Sequence, residues 1–353
     1  MRILTLPSIL SYLAFASALP TSHAPLTASS SVAKPLPLLI WHGLGDTYDA
    51  DGLRETGQLA EKINPGTYIS YVHVDEDSTK DRSGTFFGNI TTQIAQVCED
   101  LHQDTNLTSS DGQELRVDAL GFSQGGQFLR GLLERCEGVK IRSLVTFGSQ
   151  HNGIAQFPAC GTYDLLCKGA TGLIKGNAWT DYIQNRVVPA QYYRTLNETT
   201  GMPTQDYLNH SNFLADINNE RRVKNQTYAD RMASLENFVM YVFEEDVTVI
   251  PKESGWFAEV NSTTGEVTPL RERSLYKEDW LGLKRLDEKG GLMLKTHPNG
   301  HMQLEDEVLV DVFKTYFGPE EKKRGGSMDL VKDVVLDAVA PAQRVLLDAK
   351  EYL

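Results

Sequence analysis

The chain has 353 residues and a formal net charge of -13 at pH 7, from 34 Lys and Arg against 47 Asp and Glu. Its 41% hydrophobic and 23% charged content is that of an ordinary globular protein, long enough for one large domain or two small ones. Such an acidic chain without basic patches excludes nucleic acid as the expected partner, and its net charge opposes simple electrostatic attraction to anionic lipid.

Arg2, the apolar run from Ile3 to Phe15 and the small residues Ala16-Ser17-Ala18 predict a secretory signal peptide over residues 1–18. The run is shorter than the ~20 apolar residues that a membrane span needs, and no other segment comes closer. Residues 19–35, rich in Ser, Ala, Thr and Pro, read as a flexible lead-in. The apolar run at 37–41 predicts a strand buried on both faces, ending in the turn His42-Gly43-Leu44-Gly45-Asp46. A helix-like stretch closes at 60–63, a second strand covers 68–74, and 90–101 has helical periodicity. A short strand at 115–120 runs into Gly121-Phe122-Ser123-Gln124-Gly125-Gly126 and a helix pattern at 127–136, and a further strand follows at 141–148. Strands alternating with helices imply a mainly parallel sheet with crossover helices.

From about 151 to 235 the pattern weakens, with helical pieces such as 179–187 between loops, and this predicts an insertion over the sheet. Strand character returns at 238–243 and 291–294, and 304–317 is helical. The main domain is thus expected over 36–318. Residues 319–327 read as a linker, and 328–353 carry apolar residues at helical spacing, either a docked amphipathic helix or a loosely ordered tail.

Six N-x-[ST] triplets, at Asn89, Asn106, Asn197, Asn209, Asn225 and Asn261, fit a secreted chain. The four cysteines, Cys98, Cys136, Cys160 and Cys167, allow three pairings in an oxidising compartment. Sequence neighbourhood favours Cys160 with Cys167, leaving Cys98 with Cys136 to clamp a strand–turn–helix unit. No C-x-x-C or His pair has zinc-ligand spacing.

Gly121-Phe122-Ser123-Gln124-Gly125 fits G-x-S-x-G between a strand and a helix, the setting of a nucleophile elbow. Glycines let the turn close, and the helix N-terminus favours developing negative charge at the serine. Serine needs a base, and in this arrangement the order is Ser, then Asp or Glu, then His. His301, in a Gly-containing loop after the last strand, is the candidate; His297 is its competitor, and His210, inside a sequon, reads as surface. Asp246 follows the strand at 238–243 and is the candidate for orienting the imidazole, with Glu245 as competitor. Two backbone amides should hold the oxyanion: Gln124 after the nucleophile and Leu44 in the first Gly-rich loop. His42 is expected to shape that loop.

The segments Ile40-Trp41-His42-Gly43-Leu44-Gly45-Asp46 and Gly121-Phe122-Ser123-Gln124-Gly125-Gly126-Gln127-Phe128-Leu129-Arg130 resemble palmitoyl-protein thioesterases of the lysosomal type. So do residues 209–218 and Gly282-Leu283-Lys284, and the resemblance runs from about 36 to 318. It implies an α/β-hydrolase fold, a mainly parallel sheet flanked by helices with a helical and loop insertion over the site. It implies removal of long-chain fatty acyl groups from S-acylated cysteines, without metal or cofactor, in a lysosome or vacuole or outside the cell. By motif position it supports Ser123, Asp246 and His301, and the pairings Cys98–Cys136 and Cys160–Cys167. It also implies an apolar acyl groove under the insertion, with Leu44, Val249, Ile250 and Trp256 as its candidate wall.

The chain departs from the animal forms in two places. Thr47-Tyr48 stands where they have a cysteine pair, and Glu245-Asp246-Val247 replaces a sequon, while Asn209 and Asn225 keep two others as glycosylation candidates. Two other readings remain at this stage. One is a lipase or carboxylesterase acting on oxygen esters with the same three residues. The other is a lipid-binding glycoprotein with an inert serine, against which the complete Ser, Asp and His set speaks.

Overall fold

The computed structural model describes residues 34–107, 115–157, 159–197 and 199–319. The expected signal peptide, most of the lead-in and the tail after 319 lie outside the described residues. The main sheet contains β1 (Leu38–Trp41), β2 (Ile69–Val72), β3 (Leu115–Phe122), β4 (Val139–Phe147) and β5 (Asn237–Phe243). A short antiparallel pair, β6 (Glu259–Val260) and β7 (Val267–Thr268), lies outside it, and β8 (Leu292–His297) completes it. The strand order is β2-β1-β3-β4-β5-β8, and every neighbouring pair is parallel.

Both faces of the sheet are covered, which is why β1 is apolar throughout rather than alternating. Side chains still alternate by face. Leu38 and Ile40 join the cluster of Leu53, Leu309 and Phe313, whereas Leu39 and Trp41 join Ile94, Phe128 and Leu132. The first face is therefore capped by helices Asp51–Ile63 and Asp306–Thr315. Helices Ile90–Gln103, Gln124–Arg135, Gln226–Ser234 and Leu283–Glu288 cover the second.

The disulfides pair as expected. Cys98–Cys136 ties helix Ile90–Gln103 to the end of helix Gln124–Arg135, and Cys160–Cys167 closes a loop onto helix Leu165–Ile174. The region after β4 is built of short helices, but the one at Gln226–Ser234 packs under the sheet against Gln124–Arg135. It is a crossover helix, so the insertion ends before it rather than at 235. The helix expected over 179–187 is a single turn, Asp181–Gln184. The Gln184 side chain donates to the carbonyls of Ala178 and Ala190, both at 2.8 Å, and holds the chain in tight turns instead.

Buried charges pin the peripheral pieces. Arg194 Nη2 lies 2.7 Å from Glu220, and Arg273 Nη2 lies 3.1 Å from Glu259, so the insertion and the small β6–β7 ribbon share one network. Burial pushes the Glu220 carboxyl up, but Arg194 and Arg273 outweigh it and hold it below its ordinary value. Asp118 on β3 accepts from Arg142 Nε at 2.9 Å, and Arg142 Nη2 reaches the carbonyl of Gly318 at 2.8 Å. Both side chains of the pair are buried. Asp118→Ala would leave a buried guanidinium without its carboxylate, and we expect a loss of about 3–5 kcal/mol of stability. Urea unfolding reads this directly; a loss under about 1 kcal/mol would show that the pair is not a fastening of the sheet to the segment after helix Asp306–Thr315.

Candidate active site

Strand β3 passes into helix Gln124–Arg135 through Ser123 alone. Ser123 has φ 51° and ψ −120°, a left-handed conformation unusual for a residue with a Cβ. Such a residue stores roughly 1–3 kcal/mol and persists only where its surroundings over-determine it. Here the Ser123 amide donates to the Phe147 carbonyl of β4 at 2.8 Å. A Cβ on Gly121 would lie 2.2 Å from Gly126 Cα, and one on Gly125 would lie 2.3 Å from the Trp41 carbonyl oxygen. Glycine at both positions lets the helix start press against β1 and β3, and the serine hydroxyl is thrust out above the strand ends.

Strands β5 and β8 are adjacent and in register to their last residues, Phe243 opposite His297. The loops leaving them therefore start side by side. The first carries Asp246 and the second His301. His301 Nδ1 is 2.7 Å from Asp246 Oδ2, and His301 Nε2 is 3.0 Å from Ser123 Oγ. The other carboxylate oxygen of Asp246 accepts from the amides of Thr248 at 2.8 Å and Val249 at 2.9 Å. Burial pushes the Asp246 carboxyl up, but the His301 hydrogen bond and charge and the Val249 and Thr248 amides outweigh it, so it sits below its ordinary value. An ionised carboxylate can only accept, so Nδ1 carries the imidazole proton and Nε2 faces Ser123 with a lone pair.

The competitors are elsewhere. Glu245 is exposed, His297 Nε2 lies 3.0 Å from Glu305 and 2.9 Å from the Gln303 carbonyl, and His210 borders a different cavity on the insertion.

The loop after β1 abuts the serine: a Cβ on Gly43 would be 3.1 Å from Ser123 Cβ. A buried carboxylate organises this loop. Asp81 accepts from the amides of Val74 at 2.9 Å and Tyr48 at 3.0 Å, and His42 Nε2 lies 2.9 Å from it. Arg82 Nε donates to the Gly45 carbonyl at 2.8 Å, and the Gly45 amide donates to Thr85 Oγ1 at 2.9 Å. His42 thus shapes the loop, as expected. Among the described residues no hydrogen bond engages the amides of Leu44 and Gln124. The Gln124 side chain is fixed by the Thr85 carbonyl at 3.2 Å and Tyr192 Oη at 3.1 Å. Asp81, Arg82 and Thr85 carried no motif in the sequence; their role emerges only when helix Ser78–Gly84 is brought to the loop.

A cavity of about 720 Å³ opens on Ser123 and His301. Leu44 and Val249 line it, together with Ile154, Tyr192 and Gln150, none of which the sequence singled out. Ile250 and Trp256 are not among the lining residues. The Ile250 carbonyl instead accepts from the Ala155 amide at 2.7 Å, and Trp256 Nε1 donates to the Met240 carbonyl at 3.0 Å while its ring packs on the core. Asn209 and Asn225 are both exposed. Among the described residues, the His, Cys, Asp and Glu group close enough to share an ion is Cys98, His102 and Cys136, whose sulfurs are already spent in a disulfide.

A doubly covered parallel sheet, with a strained serine between its central strand and the following helix, defines an α/β-hydrolase. Comparison carries this to a family: the model described as "Palmitoyl protein thioesterase" matches residues 37–301, and the chain belongs to that family of hydrolases. It is 34% identical over 290 residues to Palmitoyl-protein thioesterase 1 of Caenorhabditis elegans, covering 81% of this chain and 93% of that one. It is 35% identical to the palmitoyl-protein thioesterase-dolichyl pyrophosphate phosphatase fusion 1 of Schizosaccharomyces pombe, covering 85% of this chain but 46% of the fusion. A Drosophila melanogaster protein, the Lysosomal thioesterase PPT2 homolog, is 25% identical and is covered over 90% of its length, against 78% of this chain.

The lowered Asp246 carboxyl gives a signed prediction. Its contribution to stability is fully present above the unfolded-state value of about 4 and is lost as pH falls through the lower folded-state value. The difference in unfolding free energy between wild type and Asp246→Asn should be flat above about pH 4 and should shift against the wild type below it. Thermal melts across this range measure it; a difference that does not change with pH would contradict the assigned ionisation.

Proposed function

We propose that the protein removes long-chain fatty acyl groups, palmitoyl among them, from S-acylated cysteines of proteins and peptides. The observation that carries this reading is the unbroken hydrogen-bonded line from Asp246 through His301 to Ser123, opening on a cavity with Leu44 and Val249 in its wall, in a chain of this family. His301 Nε2 takes the proton of Ser123 Oγ as the oxygen attacks the thioester carbonyl carbon. The amides of Leu44 and Gln124 take the developing oxyanion; one such donor is worth about 3 kcal/mol. Asp246 stabilises the imidazolium that forms.

The carbon–sulfur bond then breaks, and the sulfur leaves as the thiol, taking the proton from His301 and returning it to neutral imidazole. A thiol ionises near pH 8.5, so this leaving group needs less acid assistance than an amine. Water, losing a proton to His301, attacks the acyl-serine. Fatty acid departs and Ser123 Oγ recovers its proton.

The domain reading is a catalytic unit over 36–318, with a cleaved leader at 1–18 and a linker and tail at 319–353. Residence in the secretory pathway, ending in a lysosome or vacuole or outside the cell, is supported by the two disulfides, by exposed Asn209 and Asn225 as glycan acceptors, and by the fly relative's name.

The test is turnover of a palmitoyl-cysteine peptide beside its oxygen-ester analogue. Thioester turnover should exceed ester turnover, Ser123→Ala should abolish it by about 10⁴-fold or more, and Asp246→Asn should lower it by about 10³–10⁴-fold. Ester turnover without thioester turnover would pass the assignment to a carboxylesterase.

A further inference from the structure

Of the eight exposed large apolar side chains among the described residues, three lie between Tyr163 and Leu173 on the insertion, and the others, Tyr182, Met202, Val223, Val247 and Val267, are spread along the chain. Tyr163 is 93% exposed, Leu165 79% and Leu173 44%. Helix Leu165–Ile174 sorts its residues by face: Leu166, Cys167, Ala170 and Ile174 point inward, while Leu165, Lys168, Gly169, Gly172 and Leu173 are exposed. The inner face belongs to a cluster with Phe86 and Val187, against which Leu44 packs. The helix is also fastened to the loop beside the serine. Its cap Asp164 accepts from the Cys167 amide at 3.0 Å and lies 3.5 Å from Arg82, the same guanidinium that holds the Gly45 carbonyl at 2.8 Å.

The outer face is therefore presented to the surroundings by an element whose inner face shares a cluster with Leu44. Its charge differs from that of the molecule. Residues 159–187 hold Lys168, Lys175 and Arg186 against Asp164 and Asp181, a net +1 from +3 and −2 in a chain of -13. Asp164 is already paired with Arg82. Lys168, whose ammonium donates to the Thr162 carbonyl at 2.6 Å, and Lys175, the cap residue after the helix, fall on the flank next to Leu165, about 60–80° from it and on the side away from Leu173, at about 3.6 residues per turn. Leucines outward with lysines at the flank describe a helix that lies in a lipid interface, with ammonium groups at the headgroups and apolar side chains below them.

We infer that this face docks the protein on an anionic lipid surface, bringing the cavity beside Leu44 to acyl chains held in that surface. Its purpose rests on the thioesterase reading, but the binding does not. The acidic net charge opposes attraction of the molecule as a whole, so docking by this face is local and oriented. Among the described residues no helix is long and apolar enough to cross a membrane.

Flotation of the full chain carrying Ser123→Ala, with vesicles of phosphatidylcholine alone or with phosphatidylserine added, tests the inference without turnover. The protein should float with the phosphatidylserine vesicles. Leu165→Ser with Leu173→Ser should cut the bound fraction about ten-fold or more. Lys168→Glu with Lys175→Glu should remove the preference for phosphatidylserine, about five-fold for each lysine.

A protein that stays in the soluble fraction, or a leucine variant that floats like its parent, overturns docking by this face. Equal flotation on both vesicle types overturns anionic lipid as the occupant. The leucine variant in the Ser123 background should hydrolyse a short-chain water-soluble thioester at the parent rate, which shows that it folds. Loss of that hydrolysis in the parent, with flotation intact, would sink the thioesterase reading and leave docking standing.

Discussion

The backbone at Ser123 is the constraint from which the site follows. A non-glycine residue at φ 51° is held there because its amide is taken by Phe147 and because Gly121 and Gly125 let backbone meet backbone. Where β1 has β2 on one side and β3 on the other, the order in which the chain builds the sheet reverses. The connections after β1 and β3 leave for opposite faces, so a crevice opens above their ends. Ser123 stands in that crevice with Gly43 against it. The two loops that bring acid and base arrive from β5 and β8, further along the same edge.

Two kinds of buried charge have different work in this molecule. Asp118 with Arg142, and Glu220 and Glu259 with Arg194 and Arg273, fasten strands and insertion; removing Asp118 would leave a buried guanidinium without its carboxylate. Asp81 and Asp246 act on conformation instead. Asp81 gathers His42, Tyr48 and Val74, so that the loop is held with Gly43 against the serine. Asp246 gathers Thr248, Val249 and His301, so that the imidazole has one tautomer and one direction. The polar parts of the site are thus fixed in advance by groups that never face the cavity.

Much of this was legible because the chemistry is local in sequence. The G-x-S-x-G turn lies between a strand and a helix, and Asp246 and His301 each follow a strand end, so pattern and order sufficed to find them. Leu44 was expected from the same pattern, since the Gly-rich loop follows the first strand, and it lines the cavity. What escaped reading is non-local. Asp81 and Arg82 act on residues some forty positions away, and nothing in their neighbourhood marks them. Ile250 and Trp256 were expected in the groove wall from the resemblance alone, but Ile250 gives its carbonyl to the amide of Ala155 and Trp256 turns to Met240. The helix over 179–187 failed because Gln184 offers the backbone carbonyls a side-chain partner that periodicity does not register.

The central claim is that Ser123 Oγ, aligned by His301 and raised by the strained turn, becomes covalently acylated during turnover. Intact-protein mass spectrometry after rapid acid quench, during reaction with a palmitoyl thioester, tests it directly. The account predicts a palmitoyl adduct mapping to the peptide that contains Ser123, present in the wild type and missing in Ser123→Ala. Thioester hydrolysis that proceeds in Ser123→Ala, or an adduct that maps to another residue, would contradict it.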